Sequence, residues 1–225
     1  MKQILALLFA CSAILQANGQ VLKSIGLKGG VSVANQDWNY KSTTYTLNTE
    51  NRNGFYSALT FEFLKSKYLS LSTDLGYCAK GSATEVMNTT NDLPEGDGTY
   101  ETYDTKFDYF TLSPAIKLRY ETTHLVPYAL FGLRMDYQLS YKSDFDYQLI
   151  EKEFNKTIWG ANFGAGLEYK FKQLGIFLEG QYQYDFTKVL DMPESASNSA
   201  VEVNNEAFVI CVGLKYNLTK KEVTK

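Results

Sequence analysis

Histidine is almost missing from this chain: its 225 residues contain His124 and no other. Acyl transfer or hydrolysis by a Ser, His and Asp arrangement needs an imidazole beside the nucleophile. His124 lies in the short polar stretch ETTHL, residues 121–125, so a histidine-dependent site at the opposite end of the molecule is excluded. The expectation is a non-enzymatic protein with no cofactor. Cysteine is scarce too, with three residues, Cys11, Cys78 and Cys211, too few for a disulfide-rich scaffold. No excess of positive charge exists, since 22 basic residues face 25 acidic ones, and nothing in that balance suggests a nucleic-acid partner. Beyond the N-terminal stretch, no apolar run approaches the roughly 18 residues of a membrane-spanning helix. The mean hydropathy of -0.26 looks soluble. A transmembrane β-barrel would look the same, because only alternate residues need be apolar.

The first residues read MKQILALLFACSAILQANGQ, with Lys2, an apolar run from Ile4 to Leu15, and small residues Ala17 and Gly19. That pattern predicts a secretory signal peptide over residues 1–19. Cys11 in LFAC raises a lipoprotein site, but the apolar run continues past it. Residues 20–218 then form the folded part, and residues 219–225 a short basic tail.

The chain is rich in Tyr and Phe, with 17 and 14, which favours strands. Read for a period of two, it yields eight segments, 24–34, 54–63, 68–79, 107–120, 126–141, 157–171, 175–186 and 206–218, and no helical period of useful length. Connections alternate strictly in length. Residues 35–53, 80–106, 142–156 and 187–205 are long and polar, whereas 64–67, 121–125 and 172–174 are tight turns. If sequential strands pair up and down, the long loops gather at one end and the turns at the other. The predicted fold class is all-β: an eight-stranded antiparallel up-and-down transmembrane β-barrel with four long extracellular loops and three short periplasmic turns, in the bacterial outer membrane.

Side-chain parity tests this. In PYALFGLRMDYQLSY, residues 127–141, Arg134, Asp136, Gln138 and Ser140 alternate with Leu133, Met135, Tyr137, Leu139 and Tyr141. Across all segments one face carries Leu27, Leu59, Leu71, Phe110, Leu133, Phe163, Leu178 and Ile210. The other carries the charges: Lys28, Glu62, Asp74, Lys117, Arg119, Arg134, Asp136, Glu168, Glu179, Asp185 and Lys215. Five positive and six negative groups nearly cancel, as an enclosed network requires. The apolar face is therefore expected to meet lipid and the charges to fill the lumen, since eight strands enclose a space that side chains roughly occupy. The alternative is a narrow channel for ions or small solutes.

Pro114 within a strand marks a bulge or an unpaired position. Tyr68, Tyr120, Tyr169 and Tyr216 at one end, and Tyr77, Tyr141, Trp159 and Phe186 at the other, form two expected aromatic girdles. Cys78 and Cys211 share the inward parity at different heights, which favours two buried thiols over a bridge. Asp92, Glu95, Asp97, Glu101 and Asp104 cluster in the stretch 80–106, but not at the spacing of an EF-hand.

The segments IGLKGGVSV, LSLSTDLGYCAKG, PYALFGL, NFGAGLEYKF and FLEGQYQY resemble the PorT-like outer-membrane β-barrel family of Bacteroidetes, and the architecture is similar to the small OmpX and OmpA type. The resemblance implies fold and location and brings no catalytic signature. It implies a structural or interaction barrel, acting in surface contact, envelope maintenance or as a secretion accessory. The expected partners are outer-membrane lipid and an extracellular or envelope protein at the long loops, with the chain itself a monomer.

Overall fold

The computed structural model describes residues 22–40, 46–47, 49–64, 66–88, 98–144, 153–194 and 200–218. The expected leader, the basic tail and the acidic residues Asp92, Glu95 and Asp97 lie outside the described residues. Ten strands follow one another: β1 Leu22–Tyr40, β2 Thr46–Leu47, β3 Glu50–Phe63, β4 Leu69–Met87, β5 Tyr100–Arg119, β6 Leu125–Ser143, β7 Thr157–Phe171, β8 Leu174–Asp185, β9 Leu190–Met192 and β10 Val201–Asn217. Eight of them form a ring in the order β1-β3-β4-β5-β6-β7-β8-β10, and β10 pairs back onto β1 from Ser24↔Asn217 to Tyr40↔Val201. Closure leaves no sheet edge in the lipid, where an unpaired backbone group would cost several kcal/mol. Short β2 and β9 add to the upper parts of β1 and β10.

The stagger of this ring follows from its ladders. Starting at Ser24, the paired positions are Glu62, Ser72, Ala115, Gly132, Asn162, Gln183 and Ala207, and the circuit returns to β1 at Ala34, ten residues higher. Strands so sheared tilt by about 40° and surround a space that side chains can just fill.

Several strands outrun the segments expected from alternation. β4 has 19 residues and β5 has 20, although about 9 to 11 suffice to cross a bilayer. Residues 35–40, 80–87, 100–106 and 201–205, expected in long loops, are strand. The alternation fades there for a physical reason: above the lipid, the outward face no longer has to be apolar.

Pro114 produces no bulge. The β5–β6 register is continuous from Leu112↔Met135 to Ala115↔Gly132, with no pairing recorded at Ser113 and Pro114. Proline offers no N–H, and the Ser113 hydroxyl donates instead to the Leu133 carbonyl at 3.3 Å. A real bulge lies higher, where Asp108 pairs with Ser140 and Tyr109 with Gln138, leaving Leu139 extra. Beyond it, Ser140 shares the outer face with Asp108 and Tyr141 turns toward the interior with Phe107, against the expected alternation.

Outward residues are exposed large apolar side chains, among them Leu27 at 60%, Leu133 at 55% and Leu214 at 57%. Such a continuous band suits only hydrocarbon. Leu133 lies midway along the outward run from Leu125 to Leu139. Leu133→Arg should therefore destabilise the barrel by about 2–4 kcal/mol, measured by urea unfolding of protein refolded into lipid vesicles.

Candidate functional site

The interior is the candidate site. All eleven charged residues read from the alternation are buried and face the lumen. A twelfth, Lys80 of β4, joins them at 1% exposure. Six cations, Lys28, Lys80, Lys117, Arg119, Arg134 and Lys215, thus meet six carboxylates, Glu62, Asp74, Asp136, Glu168, Glu179 and Asp185. The charges balance.

They sort into two groups, each neutral by itself. Toward the turn end, Lys28 of β1 lies 2.7 Å from Asp74 of β4 and 2.5 Å from Glu179 of β8, crossing the lumen. Lys117 of β5 reaches Glu179 at 3.3 Å and Glu62 of β3 at 3.4 Å. Arg119 spans Glu62 at 3.1 Å and Glu168 of β7 at 2.9 Å. Lys215 of β10 joins the same two carboxylates at 2.9 and 2.7 Å. Neutral groups complete the shell: Tyr128 and Gln181 both donate to Glu179 at 2.7 Å. Higher up, Lys80 pairs with Asp136 at 2.7 Å and Asp185 at 3.6 Å, while Arg134 donates to Asp136 at 2.9 Å and to Asp185. Thr111 and Asn162 supply further hydrogen bonds to Asp136 and Arg134.

Two inward glycines make room for rings among these charges. A methyl at Gly166 would lie 2.3 Å from Tyr128 Cζ, and one at Gly213 would lie 2.2 Å from Phe177 Cζ. The Lys117 ammonium stands 4.8 Å from the Tyr128 ring centre and 5.8 Å from that of Phe177, within range of cation–π attraction.

Above the upper group the lining changes character. Ser82 donates to Gln36 at 2.8 Å, Gln36 to Asn205 at 2.9 Å, and Asn205 to the Tyr109 hydroxyl at 3.2 Å. Then comes an apolar cap of Trp38, Phe107, Tyr109, Phe154, Ile158, Val189, Leu190 and Val203, with Tyr141 packed against it. The Tyr141 ring lies 4.9 Å from those of both Phe107 and Phe154, so Tyr141 belongs to this cap and not to the expected girdle. Trp159 and Phe186 do stand outside, as do Tyr68, Tyr120, Tyr169 and Tyr216.

Alternation alone missed both Lys80 and the cap. Lys80 follows Cys78 and Ala79 and precedes Gly81, a run of small residues with no apolar outward partner to mark the parity. Phe154, Val189 and Leu190 come from connecting segments, where isolated large apolar residues were the available signal.

Cys78 and Cys211 are buried free thiols. Their positions are linked through Tyr56 and Gly30, three strand spacings of about 4.8 Å each along the wall, well beyond disulfide reach. Among the described residues no group of His, Cys, Asp or Glu is arranged to hold a metal ion. Glu101 and Asp104 stand on β5, apart from any such cluster. His124 lies in the turn with its ring 6.1 Å from that of Tyr169. At the same end Glu121 meets Lys170 at 3.0 Å, Lys23 at 3.5 Å and Arg119 at 3.8 Å. Partial burial opposes ionisation of that carboxyl, but the Lys170 hydrogen bond and the surrounding cations outweigh it and hold its pKa below the usual range.

A closed eight-stranded ring, apolar outside and ionic inside, defines an outer-membrane β-barrel protein. The chain belongs to the family described as outer membrane protein beta-barrel domain, whose model matches residues 4–217. A comparison with curated protein sequences finds no match. Among solved structures, the chain is similar to Ail of Yersinia pestis, with 13% identity over 86% of this chain and 99% of that one, at a TM-score of 0.40. It is also similar to OprG of Pseudomonas aeruginosa, with 12% identity over 88% and 97% and a TM-score of 0.45. A third likeness is to the outer membrane protein W of E. coli, with 13% identity over 89% and 100% and a TM-score of 0.39.

Breaking one buried pair leaves a carboxylate without its cation, at a cost of about 3–5 kcal/mol. Arg134→Leu should lose that much stability in vesicle urea unfolding. Adding Asp185→Asn should restore half or more of the loss, whereas Asp185→Asn should do nothing for Leu133→Arg.

Proposed function

We propose that this protein is a non-enzymatic, monomeric barrel with a closed lumen, whose role is contact at the membrane surface. The observation that carries this reading is the interior itself. Twelve paired charges cross it at two levels, and an apolar cap closes its loop end. In this reading the outer surfaces are what the fold offers a partner. The β4–β5 ladder runs on to Met87↔Tyr100, beyond the last β3 pairing at Glu50↔Ala83 and the last β6 pairing at Thr105↔Ser143. Among the described residues, β4 and β5 pair there with each other, and Val86, Met87 and Tyr100 are exposed. Exposed segments on a rigid scaffold are common binding positions.

In this reading residues 1–19 are removed on export, the long-loop end faces the cell exterior and the turns face the periplasm. The resemblance to the PorT-like family supports an extracellular or envelope protein partner, including a secretion assembly. A narrow ion path is the second reading. It is favoured by buried polar atoms that no described residue satisfies, Asp74 Oδ1, Glu168 Oε1, Asp185 Oδ2 and Gln183 Nε2, since such atoms commonly hold internal water.

Purified protein in planar bilayers decides between the two. The closed barrel should show no stable conductance steps; steps that vanish in Lys80→Met or Glu179→Gln would establish the path instead. Orientation has its own test. Protease added to intact cells should cut within residues 88–99 and spare 64–67 and 121–125, and the reverse order of cleavage would turn the barrel over.

A further inference from the structure

At the turn end, three cations from three different strands converge on one oxygen atom. Glu121 of the β5–β6 turn directs Oε1 to Lys170 of β7 at 3.0 Å, Lys23 of β1 at 3.5 Å and Arg119 of β5 at 3.8 Å. Arg119 and Lys170 arrive there by ordinary alternation, two residues beyond the inward Lys117 and Glu168. Lys23 does not. Leu22 pairs with Phe63 and Ser24 with Glu62, so Lys23 between them is the extra residue of a β-bulge. Ser24 is the buried, inward neighbour and donates to Glu62, and a regular strand would therefore send Lys23 to the outer face. Bulges at barrel rims re-aim side chains. This one turns the Lys23 ammonium into the mouth, with its side chain 14% exposed.

The ionic interior above does not require Lys23 or Lys170. Its lower group is neutral by itself, with Arg119 and Lys215 on Glu62 and Glu168, and Lys28 and Lys117 on Asp74 and Glu179. The two lysines instead join Arg119 around the mouth, and all three side chains carry N–H donors and no acceptor. Such a convergence is an anion site, because charged donors make the stronger hydrogen bonds to a carboxylate. Glu121 fills it from a turn whose own bonds do not use that side chain. The Tyr120 N–H donates to the Pro127 carbonyl at 3.0 Å, and the Leu125 N–H to the Thr122 hydroxyl at 3.2 Å. The Glu121 side chain is 22% exposed. Ion pairs within reach of solvent contribute little to stability, so Glu121 can rotate out and a second carboxylate can take its place at small cost.

The seated group and its position identify the occupant. Tyr68, Tyr120, Tyr169 and Tyr216 stand exposed on the outside of the same rim, so the wall lies between lipid headgroups and the mouth. The group held there is a carboxylate carried on a short side chain from a peptide backbone. We infer that the mouth formed by Lys23, Arg119 and Lys170 is a docking site for an acidic side chain of another protein, an Asp or Glu on an exposed segment, and that Glu121 is the resident stand-in which this segment displaces. The inference rests on the surface-contact reading and gives that partner its chemistry; with the turns facing the periplasm, the partner is an envelope protein. The two can fail separately, since conductance in planar bilayers reports on the lumen and not on its mouth.

The test places the mature chain in phosphatidylcholine nanodiscs, where both ends of the barrel meet solution, and adds a short peptide with blocked ends and a central glutamate. A water-soluble carbodiimide then joins any lysine amine to a carboxylate held against it as an amide, the carbodiimide taking up the water released. Mass spectrometry should find the peptide on Lys23 and Lys170 in preference to Lys67 and Lys172, which are exposed at the same end. Glu121→Gln empties the site of its competitor and should raise those adducts about tenfold, as expected if Glu121 occupies it about nine-tenths of the time. Should that variant not fold, Glu121→Asp withdraws the carboxylate by one methylene and should give a rise in the same direction. Adding Lys170→Gln should remove most of the adduct at Lys23, and the glutamine form of the peptide should give none. Equal adducts in the native chain and in whichever Glu121 variant folds overturn the proposal, as do adducts spread evenly over all four lysines. Loss of the adducts when phosphatidylglycerol is mixed into the nanodisc assigns the mouth to a lipid headgroup and overturns the protein partner.

Discussion

A charge inside an eight-stranded barrel has little water to solvate it, and the wall around it cannot move aside. Every buried cation must therefore meet a buried carboxylate, and this single requirement shapes the interior. The six cations and six carboxylates come from all eight ring strands, so the pairs tie the wall together across the lumen as well as around it. Lys28 to Glu179 and Lys80 to Asp185 are contacts between strands that are not neighbours in the ring. The shear of ten residues per circuit sets the diameter that lets such side chains touch. A wider ring would leave them apart and solvated.

The same requirement explains how far the structure was legible in the sequence. Inside the membrane each strand must separate an apolar face from a polar one, so the alternation through Leu133, Arg134, Met135 and Asp136 could be read directly. Eleven of the twelve charges lie in such stretches. Lys80 does not, because Ala79, Gly81 and Ala83 beside it carry no apolar contrast. The one extra residue at Leu139 moved Ser140 outward and Tyr141 inward, and no residue type there signals a bulge. The cap assembled from Trp38, Phe107, Phe154 and Leu190 depends on tertiary closure, which period-two reading does not reach. Strand ends were placed too low for a related reason: above the lipid, alternation loses its cause while the ladder continues.

These layers assign different work to different heights. The middle of the barrel is built for retention in lipid, with Leu27, Leu133 and Leu214 outward and paired charges inward. The cap of buried apolar residues lies between that ionic interior and the loop end. At the cap's own height the outward positions of β1 and β10 are polar, with Asn35, Asp37 and Asn39 facing Glu206, Asn204 and Glu202, and the β4–β5 ladder runs on to Met87↔Tyr100.

The two tryptophans test the central claim that the lumen is closed and the faces are correctly assigned. Trp38 is 5% exposed within the cap, whereas Trp159 is 53% exposed on the outer wall. Fluorescence of the single-tryptophan variants Trp159→Phe and Trp38→Phe should be measured in vesicles against aqueous iodide and against brominated lipid. The account predicts that Trp159 is quenched by brominated lipid and Trp38 by neither. Quenching of Trp38 by iodide at the rate of a free indole would show an open, water-filled lumen and contradict the account.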